Sequence, residues 1–138
     1  MKPYVFNVAE ITEACIKWIQ DWMQKNGNDD TKVVIGISGG KDSTVVAALC
    51  AKALGKDRVL GVMMPNGVQP DISDSQKIVD FLQIPHLTIN INNAYTGLTE
   101  EIKTQMSLEN LSPQYLTNTP ARLRMTTLYG IGAIIGNA

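Results

Sequence analysis

A short β-branched run meets a glycine pair and then an alanine-rich run, and this junction limits the fold more than any other stretch of the chain. Residues 32–37 read Lys-Val-Val-Ile-Gly-Ile, a run too short for a helix and rich in side chains that suit a buried pleated surface. Ser38, Gly39, Gly40, Lys41, Asp42 and Ser43 follow, and residues 43–54 then carry Ala, Leu and Val with no Pro or Gly until Gly55. Strand, tight turn and helix is the expected reading. The alternation recurs, with a strand over 58–64, a break at Pro65-Asn66-Gly67 and a helix over 71–82. An alternating strand over 87–91 leads to a helix over 95–106, a turn-rich stretch over 108–118 and a last helix over 119–135. Asn118 or Thr119 can cap that helix with Pro120 in its first turn. Ahead of the first strand, Val8, Ile11, Cys15, Trp18, Ile19 and Trp22 recur at three- and four-residue steps, one apolar face of a helix that Gly27 stops. One helix followed by three strand–helix units predicts an α/β fold, an open parallel sheet covered by helices on both faces and linked by right-handed crossovers.

Composition narrows the function classes. The 138 residues suit a single domain, 1–138, with one real core. Twelve basic residues against 13 acidic ones leave a net charge of −1, which argues against a nucleic-acid surface. No apolar run approaches the ~18 residues of a membrane span, and residues 1–7 have neither the apolar stretch nor the cleavage site of a secretion signal. Cys15 and Cys50 are therefore expected as reduced thiols in a cytoplasmic protein. With no CxxC and a single histidine, a zinc site is not expected. That histidine, His86, reads as a loop or strand-edge residue. Gly130, Gly132 and Gly136 read as close helix packing, because no strand precedes them.

The chemistry concentrates in Gly36, Ile37, Ser38, Gly39, Gly40, Lys41, Asp42 and Ser43. Adjacent glycines allow positive φ and close approach of an anion. The helix that follows aims free N–H groups and a positive dipole end at the turn, and Ser38 and Ser43 add hydroxyls. The Gly-x4-Gly-Lys-[Ser/Thr] phosphate loop does not fit, since Ile35 and Asp42 stand at two of its required positions. Neither does the GxGxxG dinucleotide fingerprint, since Ser38 replaces its second glycine. Asp42 would repel a phosphate unless a cation lay between them, and Mg2+ binds through one or two carboxylates with phosphate oxygens and water. The plain alternative is a helix-capping Asp42 after an ordinary glycine turn.

This octet resembles the SGGxDS loop of the N-type ATP pyrophosphatases, which include NAD, GMP and asparagine synthetases and tRNA-thiolating enzymes. The resemblance implies an adenine nucleotide alpha hydrolase-like, Rossmann-like fold and cleavage of ATP between its α and β phosphates. Residues 64–71, Met-Pro-Asn-Gly-Val-Gln-Pro-Asp, with Asp74 and Gln76 beyond, are similar to the LPxGxQxDExDAQ segment of NAD synthetases and make Gln69 a candidate ATP contact. The match departs at Met63, where many relatives carry an Arg that helps hold the nucleotide, and at Ile72, where an acidic residue is usual. On the residues alone, the segment is a loop leading to an Asp-capped helix. Residues 118–129, Asn-Thr-Pro-Ala-Arg-Leu-Arg-Met-Thr-Thr-Leu-Tyr, resemble the NxxARxRMxxxY signature of the same enzymes. That resemblance assigns Arg122 to deamido-NAD, with Asn118 and Tyr129 at the nicotinate end. On the residues alone, this is a surface helix with two solvated arginines and a tyrosine at the core edge.

The whole chain thus resembles the amino-terminal half of an ammonia-dependent NAD synthetase. The implied substrates are ATP, deamido-NAD and ammonia, with Mg2+ on Asp42, and no side chain is an obvious general base. The family implies a homodimer, and Leu128, Ile131, Ile134 and Ile135 are candidates for its interface or, equally, for the core. The ligand crevice is expected beside the first strand, where strand order reverses. Further strands are due after Ala138, so the sheet is expected to be incomplete at the carboxyl end and independent activity is in question. The alternatives are another SGGxDS-loop enzyme, a nucleotide-binding module without catalysis, and a truncated piece that contacts mainly itself or a second copy.

Overall fold

The computed structural model describes residues 6–68 and 72–138. Its elements run α1 (Val8–Asn26), β1 (Val33–Gly36), α2 (Lys41–Leu54), a 3-10 turn (Lys56–Arg58), β2 (Val59–Met63), α3 (Ile72–Leu82), β3 (His86–Thr88), α4 (Asn92–Met106) and α5 (Pro113–Ile135). The three strands are parallel in the order β1-β2-β3, with Val33 opposite Val59 and Gly61 opposite His86.

Strand residues alternate between faces, and this parity sorts the core into two layers. Val33, Ile35, Ile37, Val59 and Met63 meet Ala47 and Cys50 of α2 and Val79 of α3. Val34, Leu60, Val62 and Met64 meet Leu123, Leu128, Ile131 and Ile135 of α5. Both faces of the sheet are thereby covered, which is why its strands read as continuous apolar runs. Val59, Val62, Met63 and Val79 are each under 2% exposed, and full burial of such a side chain contributes ~1.5–3 kcal/mol.

Several boundaries differ from the sequence reading. α2 begins at Lys41 rather than Ser43, because Gly40 takes the N-cap position. The last helix begins at Pro113, with the Ser112 hydroxyl capping Tyr115 N–H at 3.2 Å, and Pro120 lies inside it. The added turns are held to α4 by a 2.9 Å hydrogen bond between the Thr99 and Tyr115 hydroxyls. Neither Asn118 nor Thr119 caps anything. Along α5, Leu128, Ile131 and Ile135 are core, while Ile134 is 88% exposed, so only one of the four interface candidates faces outward. The close-packing reading of the α5 glycines also fails: a Cβ at Gly130 or Gly136 would meet nothing within 4 Å, and one at Gly132 only Ala138 at 4.0 Å. On α1, which packs chiefly against α2, Trp18 and Trp22 stay 67% and 50% exposed; the apolar face is wider than its neighbour covers.

Cys15 and Cys50 are free thiols and His86 opens an outer strand, as the sequence led one to expect. No helix among the described residues is long and apolar enough to cross a membrane. The outer edge of β1 pairs with no strand among the described residues. Only its start is touched, where Lys32 N–H donates to Asn137 O at 2.9 Å and the Asn137 side chain bonds Thr31 and Asn28.

Candidate functional site

The chain turns from β1 into α2 through Ile37, Ser38, Gly39 and Gly40. Buried Ile37 anchors the turn, its N–H donating to Val62 O at 2.9 Å. Gly39 has φ +83°, a conformation that costs a residue with a Cβ about 1–2 kcal/mol. A Cβ there would meet Ser75 Oγ at 3.4 Å and Asp74 Cβ at 3.5 Å, so the first turn of α3 lies alongside the middle of the loop. Gly40 caps α2 with no side-chain hydrogen bond. The leading N–H groups of that helix and the positive end of its dipole therefore remain available to an anion.

The loop's hydroxyls brace it from within. Ser43 Oγ accepts from Ser38 N–H at 3.3 Å, lies 3.1 Å from Ser38 Oγ and donates to Gly40 O at 3.2 Å. Ser38 Oγ accepts from Gly40 N–H at 3.3 Å, and Thr44 Oγ1 donates to Gly40 O at 2.8 Å. The result is a loop preformed around its backbone donors. The Lys41 and Asp42 side chains are 89% and 90% exposed and pair at 3.4 Å, an exposed pair that adds little to stability. No group of three or more His, Cys, Asp or Glu side chains forms a metal cage among the described residues. Asp42 lies in the first turn of α2, directly after the loop, and one carboxylate with phosphate oxygens and water is a donor set that fits Mg2+.

Beside the loop, over the carboxyl ends of β1 and β2 and between α3 and α5, lies a cavity of about 460 Å3. Ligands of open α/β sheets bind at such strand ends. Ser38, Ser75 and Arg124 give this cavity its polar groups, while Met64, Pro65, Ile72, Met125 and Leu128 make it apolar elsewhere. Gly36 lets α5 approach, since a Cβ there would meet Met64 Cε at 3.1 Å and Leu128 Cδ1 at 3.4 Å. Met63, by contrast, is 1% exposed in the core and lines none of the cavity.

Asn118, Arg122, Met125 and Tyr129 fall at steps of four, three and four along α5, a single stripe of the helix, and all four are exposed. Met125 places this stripe on the rim of the cavity. Tyr129 reaches the neighbouring groove of about 840 Å3 along the outer edge of β1, with Trp22 and Val33. Of the sequence-predicted residues, Gly36, Ile37 and Ser38 line the cavity and Tyr129 lines the groove, while Asn118 and Arg122 line neither. Gln69 lies outside the described residues. Sequence reasoning missed Arg124, whose Nε donates to Met64 O at 2.9 Å. The signal was present, since two residues along a helix turn Arg124 about 200° away from Arg122.

Comparison with known proteins gives the family. The family model described as NAD synthase matches residues 11–137. The chain is 37% identical over 121 residues to the NH(3)-dependent NAD(+) synthetase of Pyrococcus horikoshii, covering 88% of this chain and 44% of that protein. It is 39% identical over 130 residues to that of Pyrococcus furiosus, covering 94% and 46%. Among solved structures, NH3-dependent NAD synthetase from Campylobacter jejuni, in complex with the nitrate ion, superposes with a TM-score of 0.80 at 29% identity, over 94% of this chain and 53% of that one. The chain therefore spans under half the length of these curated relatives. Its parallel sheet, its preformed loop and this match over nearly all its residues agree: the chain belongs to the NAD synthase family.

Proposed function

We propose that this chain binds ATP, with its phosphates at the loop of residues 36–43 and its nucleoside in the adjoining cavity, and that it serves ammonia-dependent amidation of deamido-NAD. The observation that carries the reading is the uncapped N-terminus of α2 behind a loop braced by Ser38, Ser43 and Thr44. Donors fixed in advance toward a developing negative charge stabilise a transition state without reorganising at the moment of reaction. Gly36, Ile37, Ser38, Gly39, Gly40, Lys41, Asp42 and Ser43 are the ATP-binding set, joined by Gln69. Asn118, Arg122 and Tyr129 are the deamido-NAD set on the rim.

In the proposed reaction, the nicotinate carboxylate of deamido-NAD attacks the α-phosphorus of ATP, and the bond to pyrophosphate breaks. Ammonia then attacks the acyl carbon, and the bond to AMP breaks, leaving the amide of NAD. Mg2+ bound at Asp42 would offset the phosphates' charge. The exposed Arg122 guanidinium supplies paired donors to a phosphate or carboxylate of the dinucleotide, and the Tyr129 ring offers an apolar face. The work of the protein is placement of two anions against each other. A cytoplasmic homodimer completes the reading.

Incubation with ATP, Mg2+, ammonia and deamido-NAD, followed by chromatography for AMP and NAD, tests it; appearance of both supports turnover by this chain. A second reading, nucleotide binding without independent catalysis, is favoured by coverage of under half of the relatives. Saturable ATP binding with no AMP formed selects that one.

A further inference from the structure

Ser75, in the first turns of α3, is 3% exposed and lies alongside the phosphate loop, its Oγ 3.4 Å from where a Gly39 Cβ would stand. Its hydroxyl makes no hydrogen bond to any described residue. No polar side-chain atom sealed from solvent lacks a partner among the described residues, so this hydroxyl opens on the cavity that Ser75 lines. The hydroxyl has no protein partner among the described residues that would stabilise the free fold, and serine is a poorer helix former than alanine. Helix α3 therefore gains nothing from this hydroxyl in the free protein.

We infer that Ser75 Oγ is a ligand donor, directed at a phosphoryl oxygen of the nucleotide where its phosphates leave the cavity for the loop. The placement supports that atom. Ser75 touches the loop at Gly39, while the apolar lining from Met64, Pro65 and Leu128 lies on the nucleoside side. The N-terminal end of α3 also faces the loop, so its dipole favours an anion at the same point. The neighbouring Asp74 carboxylate is held by Lys77 Nζ at 2.8 Å, which offsets the nearest negative charge on that helix. This inference rests on the nucleotide reading above and adds to it a contact outside the loop.

Calorimetric titration of the wild type and Ser75→Ala with Mg·ATP, AMP and adenosine tests it, alongside thermal melts without ligand. The expected result is a roughly tenfold loss of affinity for ATP and AMP in the variant, the scale of a hydrogen bond to a charged group. Adenosine affinity is unchanged, and the melting midpoint is equal to or above that of the wild type. Equal ATP affinity in the two proteins overturns the inference and leaves the nucleotide reading standing. A parallel loss of adenosine affinity moves the contact to the nucleoside and overturns the phosphoryl assignment. A lowered midpoint in the free variant makes the hydroxyl structural and also overturns it. If neither protein binds ATP, the nucleotide reading fails and this inference falls with it.

Discussion

Arg122 and Arg124 stand two residues apart on α5 and serve opposite sides of it: Arg122 is exposed on the rim stripe, whereas Arg124 donates from Nε to Met64 O at 2.9 Å. One reaches outward to solvent and the other ties the helix to the end of β2. Their substitutions should separate accordingly. Arg124→Ala removes a half-buried charged donor from a backbone carbonyl and should cost about 1–2 kcal/mol, a melting midpoint lower by about 3–6 °C. Arg122→Ala should leave the midpoint unchanged while weakening binding of deamido-NAD. Thermal denaturation and titration of both variants check the division; a destabilised Arg122→Ala protein would contradict it.

The loop's shape predicts the effect of a single methyl. Gly39→Ala must hold φ near +83° with Ser75 and Asp74 already against it. The expected cost is about 1–2 kcal/mol from the backbone conformation, since the added Cβ itself meets its neighbours at ordinary contact distances. ATP affinity should fall by more than stability alone explains. Titration under conditions where the variant is fully folded, verified by circular dichroism, separates the two effects.

Asp42 is an exposed carboxylate next to the proposed phosphate site, so on that proposal its removal should act through the cation. Asp42→Asn should abolish the Mg2+ dependence of ATP binding, and metal-free ATP should bind at least as well as to the wild type because a repelling charge is gone. Mg2+ dependence that survives in the variant would remove Asp42 from the metal's ligands.

Burial pushes the Cys50 thiol above its ordinary range. The folded chain thus keeps a proton that the unfolded chain gives up. The associated stability is full below the ordinary thiol pKa and is lost as pH rises through the folded value. Denaturant titrations at pH 8 and pH 10 should show a decline that Cys50→Ala flattens. Half-buried Cys15 should react with an alkylating reagent in the native protein, and buried Cys50 only on unfolding, as mass spectrometry would report.

Much of this was legible in the residues, and for local reasons. The β-branched run before Gly39 and Gly40 placed β1, the turn and α2, because strand length, turn chemistry and helix composition all agree there. Parity along β1 and β2 was equally readable once the sheet was parallel. The start of α5 was not. Ser112-Pro113 and Thr119-Pro120 both offer a cap followed by proline, and what separates them is the tertiary bond from Thr99 to Tyr115. Proline inside a helix removes one donor and leaves the Leu116 carbonyl without its intrahelical partner, a cost that packing against the sheet outweighs at buried Pro120. Arg124 and Ser75 escaped for a related reason. Their meaning lies in Met64 and Gly39, partners 60 and 36 positions away in sequence.

The bond from Lys32 N–H to Asn137 O guards only the first rung of β1. From Val33 to Gly36 no strand among the described residues pairs with the outer ladder, whereas parallel sheets ordinarily keep such strands in their interior. A bare row of amides and carbonyls flanked by Trp22 and Tyr129 is adhesive. In a concentrated preparation, such a row should pair with extended backbone from another copy. Light scattering against concentration would register such association.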